Sequence, residues 1–198
     1  MQNLKTELPK EAKVKMRTKF SSPCKIRNFK ILPSTNQKAK ELALRGALPW
    51  TVIVAEKQTG GYGRKRTAWF SPRGGLYFSI ILPRSKIEDL QTLTIISAFI
   101  VAKTIKENFS LEPLIKLPND VLINSRKVCG ILTENVIGKE VKSSVIGIGL
   151  NTNIEKFPKD LEDSATSLKI ELGREVDNKK ILEQIVKGLK EQLKTISE

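Results

Sequence analysis

The sequence predicts an α+β fold in which helices accompany a largely antiparallel, mixed sheet. Three observations predict it. Apolar or alternating runs of strand length recur at residues 25–32, 51–55, 76–82 and through 121–150. Strands of the last group are joined by short turns, Asn124-Ser125-Arg126 and Gly138-Lys139, so they form an antiparallel meander. Helical runs stand near both ends and once in the middle, not between every pair of strands as a parallel α/β sheet requires.

Each element has its local reason. Residues 25–32 (KIRNFKIL) alternate like a half-buried strand and stop at Pro33. Ser34, Thr35 and Asn36 offer N-cap side chains to the helix QKAKELALRG, with Gly46 at its C′ position. Residues 51–55 (TVIVA) make a short, central apolar strand, and 57–75 a long Gly/Arg/Lys loop before strand 76–82. A helix from Glu88 to Asn108 is apolar over most of its circumference, which predicts burial. Its densest apolar stretch, 95–102, falls short of the ~18–20 residues of a membrane span. A strand into Lys116, the break Leu117-Pro118-Asn119-Asp120 and strands 121–123, 128–136 and 141–150 follow. A short turn of helix at 164–172 closes at Gly173, and Asp177 caps a final helix.

Composition narrows the chemistry. The 198 residues suit one domain, with 39% hydrophobic and 28% charged residues. Histidine is absent, which removes Ser-His-Asp triads, Cys-His pairs, His-ligated metals and imidazole acid/base chemistry. Cys24 and Cys129 are too few for a zinc site or disulfide framework and read as idle thiols in a reducing, cytoplasmic setting. No apolar segment follows the basic N-terminus, so no secretory signal and no membrane attachment is expected.

Thirty-five Lys and Arg against 21 Asp and Glu leave a formal net charge of +14, pointing to an anionic partner. Residues 1–30 hold nine Lys/Arg and two Glu, half of that excess. This basic arm would bind nucleic acid nonspecifically or stand as a solvated tail. Specific DNA binding is not expected, because the arm lacks the length and periodicity of a helix-turn-helix unit.

Three segments concentrate polar chemistry. Residues 57–69 (KQTGGYGRKRTAW) place three glycines beside Arg64, Lys65 and Arg66, a backbone and charge pattern that suits a phosphate or an adenylate. The pattern is neither a Walker loop nor a dinucleotide fingerprint, and its plain alternative is a basic surface loop. Lys116-Leu117-Pro118-Asn119-Asp120 precedes Arg126-Lys127-Val128-Cys129-Gly130-Ile131-Leu132, with Lys116 and Lys127 read on adjacent strands and converging on one anion. A simple Pro-Asn-Asp turn is the alternative. Gly147-Ile148-Gly149-Leu150-Asn151 carries glycines within a strand, marking close approach of a ligand or a bulge.

Taken in order, Ser34-Thr35-Asn36, the Gly61–Trp69 loop, K-x-P-N-D with R-K-x-x-G-I-L, and G-I-G-L-N resemble the catalytic domain of the biotin protein ligases over about residues 26–198. Ala165-Thr166-Ser167-Leu168 and Gly173-Arg174-Glu175-Val176-Asp177 resemble that family's C-terminal part. The resemblance implies a fold like class II aminoacyl-tRNA synthetases. It implies activation of biotin by ATP, with Mg²⁺ arriving on the nucleotide and not on protein ligands, then transfer to a lysine of a biotin carboxyl carrier protein.

By the same resemblance, Ser34, Thr35, Asn36, Gln58, Gly61, Gly63, Arg64, Lys127 and Gly130 match biotin-side positions. Tyr62, Arg64, Lys65, Trp69, Lys116, Asn119, Lys127 and Asn151 match the ATP side, and Lys127, Arg64, Asp120 and Lys116 carry catalysis. Tyr62, Arg66 and Thr67 depart from the family's G-R-G-R-x-G-R loop, and Leu117 replaces a tryptophan. Residues 1–25 read as a basic arm, and, as a departure from many members of the family, neither an N-terminal DNA-binding domain nor a small C-terminal β-barrel is expected, in a monomer or homodimer. A lipoate or octanoate ligase of the same superfold, and a nucleic-acid-binding protein acting through the arm, are the alternatives.

Overall fold

The computed structural model describes residues 24–83, 89–138 and 141–197. The elements are β1 (Lys25–Leu32), α1 (Thr35–Leu44), β2 (Thr51–Gln58), β3 (Leu76–Ile81), α2 (Leu90–Phe109), β4 (Leu114–Lys116), β5 (Asp120–Ile123), β6 (Arg126–Ile137), β7 (Val141–Leu150), α3 (Leu168–Leu172) and α4 (Asn178–Ser197). Seven strands form one sheet in the order β1-β2-β3-β7-β6-β5-β4. Only β1 and β2 run parallel, and α1 supplies the crossover that a parallel pair needs. The expected α+β class, with a mostly antiparallel sheet, is what forms.

Strand alternation assigns the two faces of the sheet. On β3, Leu76, Phe78 and Ile80 join the main core with α2 and α4, whereas Ile81 packs with the α1 residues Ala39 and Leu42. β3 is buried throughout because both faces are covered. α4 turns Ile181, Leu182, Ile185, Val186, Leu189 and Leu193 to the main core, each such burial being worth about 1.5–3 kcal/mol. On β6 and β7 the same alternation sends Cys129, Ile131, Ile146, Ile148 and Leu150 into the main core. It therefore leaves Gly130, Leu132, Glu134, Gly147 and Gly149 on the α1 face.

The capping expectations hold. The Ser34 side chain accepts from Gln37 N, Asp177 accepts from Lys179 N and Lys180 N, and Gly46 follows the α1 C-cap at φ +83.

Other expectations are corrected. β2 continues through Gln58 and lies second from the edge, with β7 at the sheet's centre. α2 begins at Leu90 under an Asp89 cap, the expected start at Glu88 lying outside the described residues. α2 is not buried all round, since Phe99 is 52% exposed. The Lys116 and Lys127 strands are not neighbours, because residues 117–119 themselves reverse the chain and β5 pairs on both sides. The C-terminal helical turn is confined to α3, capped by Ser167. The strand expected from Lys25 does begin there, with Lys25 paired to Thr51; residues 1–23 and Lys139 lie outside the described residues. No described helix is long and apolar enough to cross a membrane.

Candidate active site

Sheet register builds the floor of a cleft of about 470 Å³ on the α1 face. Gly147 pairs with Ser79 on one side and Leu132 on the other; Gly149 pairs with Tyr77 and Gly130. A Cβ on Gly147 would lie 2.0 Å from Asn36 Oδ1, and one on Gly149 would lie 2.4 Å from Trp69 Nε1. A Cβ on Gly130 would stand 3.0 Å from the same indole. The close approach expected at these glycines is thus made by two of the protein's own side chains.

The first turn of α1 supplies one wall. Asn36 Oδ1 accepts from the Ser79 hydroxyl at 2.6 Å, and that hydroxyl lies 2.8 Å from Thr35 Oγ1. The Gln58 amide oxygen accepts from the Thr35 backbone N–H at 2.8 Å, while its NH₂ donates to Ser71 at 3.0 Å. Gln58 therefore fixes the start of α1 against the loop that follows β2. Ser34, Thr35 and Asn36 are all buried.

That loop folds back on itself. Tyr62 bridges Ala68, Gly63 N donates to Thr67 O at 2.8 Å, and Trp69 N donates to Gly61 O at 2.9 Å. A tight turn at Arg64–Arg66 holds Lys65 and Arg66 at φ 53 and 62, left-handed values uncommon for such residues. Arg66 stacks on the Tyr62 ring 4.4 Å from its centroid, and Arg64 Nη1 donates to Asn119 Oδ1 at 3.3 Å.

Glu134, which the sequence reading did not single out, sits beneath this loop. Its Oε2 accepts from Tyr62 Oη and from Asn36 Nδ2, both at 2.9 Å, and Oε1 pairs with Lys40 Nζ at 2.8 Å. Burial pushes the Glu134 carboxyl up, but the bonds from Lys40, Asn36 and Tyr62 together hold it below its ordinary value. Burial and then Glu134 raise the Tyr62 phenol; for Lys40, burial pulls down but Glu134 prevails and raises it. The available signal was alternation: Glu134 shares a strand face with Gly130 and Leu132.

Lys127 is fixed from two directions. Its Nζ lies 2.7 Å from Asp120 Oδ1 and 5.0 Å from the Trp69 ring centroid. Its backbone is clamped by Ser164 O and Thr166 N at 2.8 and 3.0 Å. Asn119 Nδ2 donates to Asp120 Oδ1 at 2.9 Å, completing a chain Arg64–Asn119–Asp120–Lys127. The Asn151 NH₂ donates to Thr166 O at 3.0 Å and lies 3.4 Å from Lys127 O. Two buried polar atoms on cleft-lining residues have no protein partner, the donor Trp69 Nε1 and the acceptor Asn151 Oδ1.

All but two of the sequence-selected residues line the cleft. Gly61 does not; a Cβ there would meet Ser71 Oγ at 2.7 Å, and the residue backs the loop instead of facing the cavity. Lys116 does not either, being exposed on the edge strand β4. Phe70 and Phe157, whose ring centroids are 6.0 Å apart, line the cleft without having been expected there. Among the described residues no group of three or more His, Cys, Asp or Glu is placed to hold a metal ion.

The sequence profile of the biotin/lipoate A/B protein ligase family matches residues 28–151. The bifunctional ligase/repressor BirA of Bacillus subtilis is 40% identical over 161 residues, covering 79% of this chain and 50% of that protein. The biotin–(acetyl-CoA-carboxylase) ligase of Paracoccus denitrificans is 32% identical over 159 residues, covering 76% of this chain and 65% of that protein. The chain spans about half the length of the BirA proteins it matches. Among solved structures, the biotin protein ligase of Aquifex aeolicus in complex with biotin and ATP has a TM-score of 0.80 at 32% identity, covering 87% of this chain and 72% of that one.

Proposed function

The chain belongs to the biotin/lipoate A/B protein ligase family, and from that membership we propose that it activates biotin with ATP and transfers it to a lysine of a biotin carboxyl carrier protein. The observation that carries the reading is one cleft lined at once by Asn36, Arg64 and Lys127, an amide and two cations that suit a polar, anionic ligand. The cavity volume falls in the range of about 300–1,000 Å³ common for small-molecule sites. The biotin ligase named above, which was solved with biotin and ATP, supports the choice of substrates.

In this reading Ser34, Thr35, Asn36 and Gln58 serve the biotin ring system, and Trp69, Asn119 and Asn151 the nucleotide. A biotin carboxylate oxygen attacks the α-phosphorus as the bond to pyrophosphate breaks, giving biotinyl-AMP. Lys127 and Arg64 stabilise the negative charge developing at phosphorus, which needs fixed cations rather than an imidazole. The carrier lysine, as its neutral amine, then attacks the acyl carbon; AMP leaves and the amine gives up a proton. Asp120 holds Lys127 in place. Lys116, exposed beside Leu117 on the rim strand, meets the carrier and not the adenylate. Mg²⁺ arrives with the triphosphate. We further propose that the chain acts in the cytoplasm, as a monomer or homodimer.

The test is pyrophosphate exchange into ATP with biotin, lipoate or octanoate offered singly. Exchange with biotin alone is expected. Exchange dependent on lipoate or octanoate would move the chain to the other branch of the family.

A further inference from the structure

Glu134 gathers three segments on one carboxylate. Tyr62 comes from the glycine loop, Asn36 and Lys40 come from α1, and Glu134 itself stands on β6. Resting on the biotin-adenylation reading, we propose that Tyr62 and Glu134 form a latch that holds the loop over the cleft through the protein's own contacts and couples loop position to Asn36.

The loop is able to transmit such a hold. Its cross-links from Tyr62 to Ala68, Gly63 to Thr67 and Gly61 to Trp69 make it a small hairpin, so fixing Tyr62 also fixes Arg64 and Trp69. The hairpin's tip needs outside support, because Lys65 and Arg66 stand in the left-handed region, a conformation costly for residues with side chains. Arg66 gives part of it by stacking on Tyr62. The Arg64 bond to Asn119 gives another part, and the Tyr62 bond to Glu134 adds to it, its charged acceptor making it the stronger of the two. Lys40 keeps the half-buried carboxylate paired, which the burial of an ion requires.

The coupling to Asn36 lies at a single atom. Tyr62 Oη and Asn36 Nδ2 both donate to Glu134 Oε2. When the loop lifts, Oε2 loses one of two donors and the Asn36 amide is held by a changed carboxylate. Tyr62 and Glu134 are therefore positioning residues, acting through Arg64, Trp69 and Asn36 rather than on the reacting atoms.

The loop carries its own reporter. Arg64, Lys65 and Arg66 are exposed trypsin sites, and cleavage of a fast-opening segment tracks the population of its open form. Limited trypsinolysis of the full chain without substrates, mapped by mass spectrometry, is compared for wild type, Tyr62→Phe and Glu134→Gln. Cleavage at 64–66 is expected to quicken roughly tenfold or more in Tyr62→Phe, the loss typical of a hydrogen bond to a charged group. Sites elsewhere and the Tm should stay near wild type. Glu134→Gln should also raise the Kd for biotin, measured by calorimetry, whereas Tyr62→Phe should raise it less than it speeds release of preformed biotinyl-AMP. Cleavage of Tyr62→Phe at the wild-type rate overturns the latch, whatever Glu134→Gln does. Lack of biotin-dependent exchange by wild type would instead overturn the functional reading, leaving the substrate-free cleavage comparison to decide the latch.

Discussion

Lys127 Nζ stands 2.7 Å from Asp120 Oδ1, and that same oxygen accepts the Asn119 amide at 2.9 Å. The ammonium is thus aimed by a carboxylate that is itself held. Such a preorganised charge stabilises a developing anion without reorganisation, and removing one donor of this kind costs about 10²–10³ in kcat. Lys127→Ala is expected to lose biotin-dependent pyrophosphate exchange by that factor. Its Tm should move little, because both partners keep some solvent contact and the backbone clamp from Ser164 and Thr166 remains. Exchange at the wild-type rate would remove Lys127 from the mechanism.

Gly147 is a spacing residue for Asn36. A Cβ at this position would lie 2.0 Å from Asn36 Oδ1, the atom that accepts from Ser79. Gly147→Ala should therefore expel the Asn36 amide, at about 1–3 kcal/mol as for other overpacked sites. The expected readout is a lower Tm together with weaker biotin binding by calorimetry. Gly46→Ala makes the contrast, since nothing lies within 4 Å of its added Cβ and only the φ of +83 is strained. It should cost stability without touching biotin affinity.

These two sites also mark how far the sequence could be read. Strand alternation, the Ser34 and Asp177 caps and the glycine-basic loop were legible because each is a local pattern. The glycines of β7 were legible as places of close approach, but what approaches them is set by register, which brings Asn36 and Trp69 across 111 and 80 residues of sequence. Glu134 was hidden in Thr133-Glu134-Asn135, a stretch indistinguishable from a solvated strand until α1 and the loop fold over it. Lys116 and Lys127 read as neighbours because residues 117–119 look like a break between strands; they reverse the chain instead, so that β5 pairs with both strands and stands between the two lysines.

The Glu134 group gives a pH signature. A carboxyl held below its ordinary 4.5 adds stability above that value and loses it as pH falls through the lowered one. Lys40, raised above 10.5, keeps its contribution below that value and loses it only as pH climbs through the raised one, and Tyr62 stays a neutral donor past 10.0. The Tm gap between wild type and Glu134→Gln should be constant from about pH 5.5 to about pH 9 and shrink below the carboxylate range. Over the plateau, a contribution of about 1 kcal/mol corresponds to about 2–4 °C for a chain of this size. A gap that instead changes near neutrality would mean another group titrates at the hub.

Arg64 and Lys65 are neighbours with different attachments, and this separates their roles. Arg64 Nη1 reaches Asn119, linking the loop to the Asp120–Lys127 pair, and its side chain also borders a smaller cavity of about 180 Å³ beside Leu90 and Thr94. The Lys65 ammonium makes no hydrogen bond or ion pair with a described residue and stands exposed at the hairpin tip. A cation already held near Asn119 meets an adenylate phosphate with little ordering cost, whereas Lys65 must first be ordered. Losing a charge-assisted contact typically costs about 1.5–3 kcal/mol, or roughly 10–150-fold in affinity. Arg64→Ala should therefore release preformed biotinyl-AMP faster by a factor in that range and biotinylate lysines of bystander proteins in the same tube. Lys65→Ala should change release by less than about threefold, as befits an exposed charge. The dissociation rate of preformed biotinyl-AMP from each variant is the measurement, and a larger effect at Lys65 than at Arg64 would assign the phosphate contact to the tip of the loop.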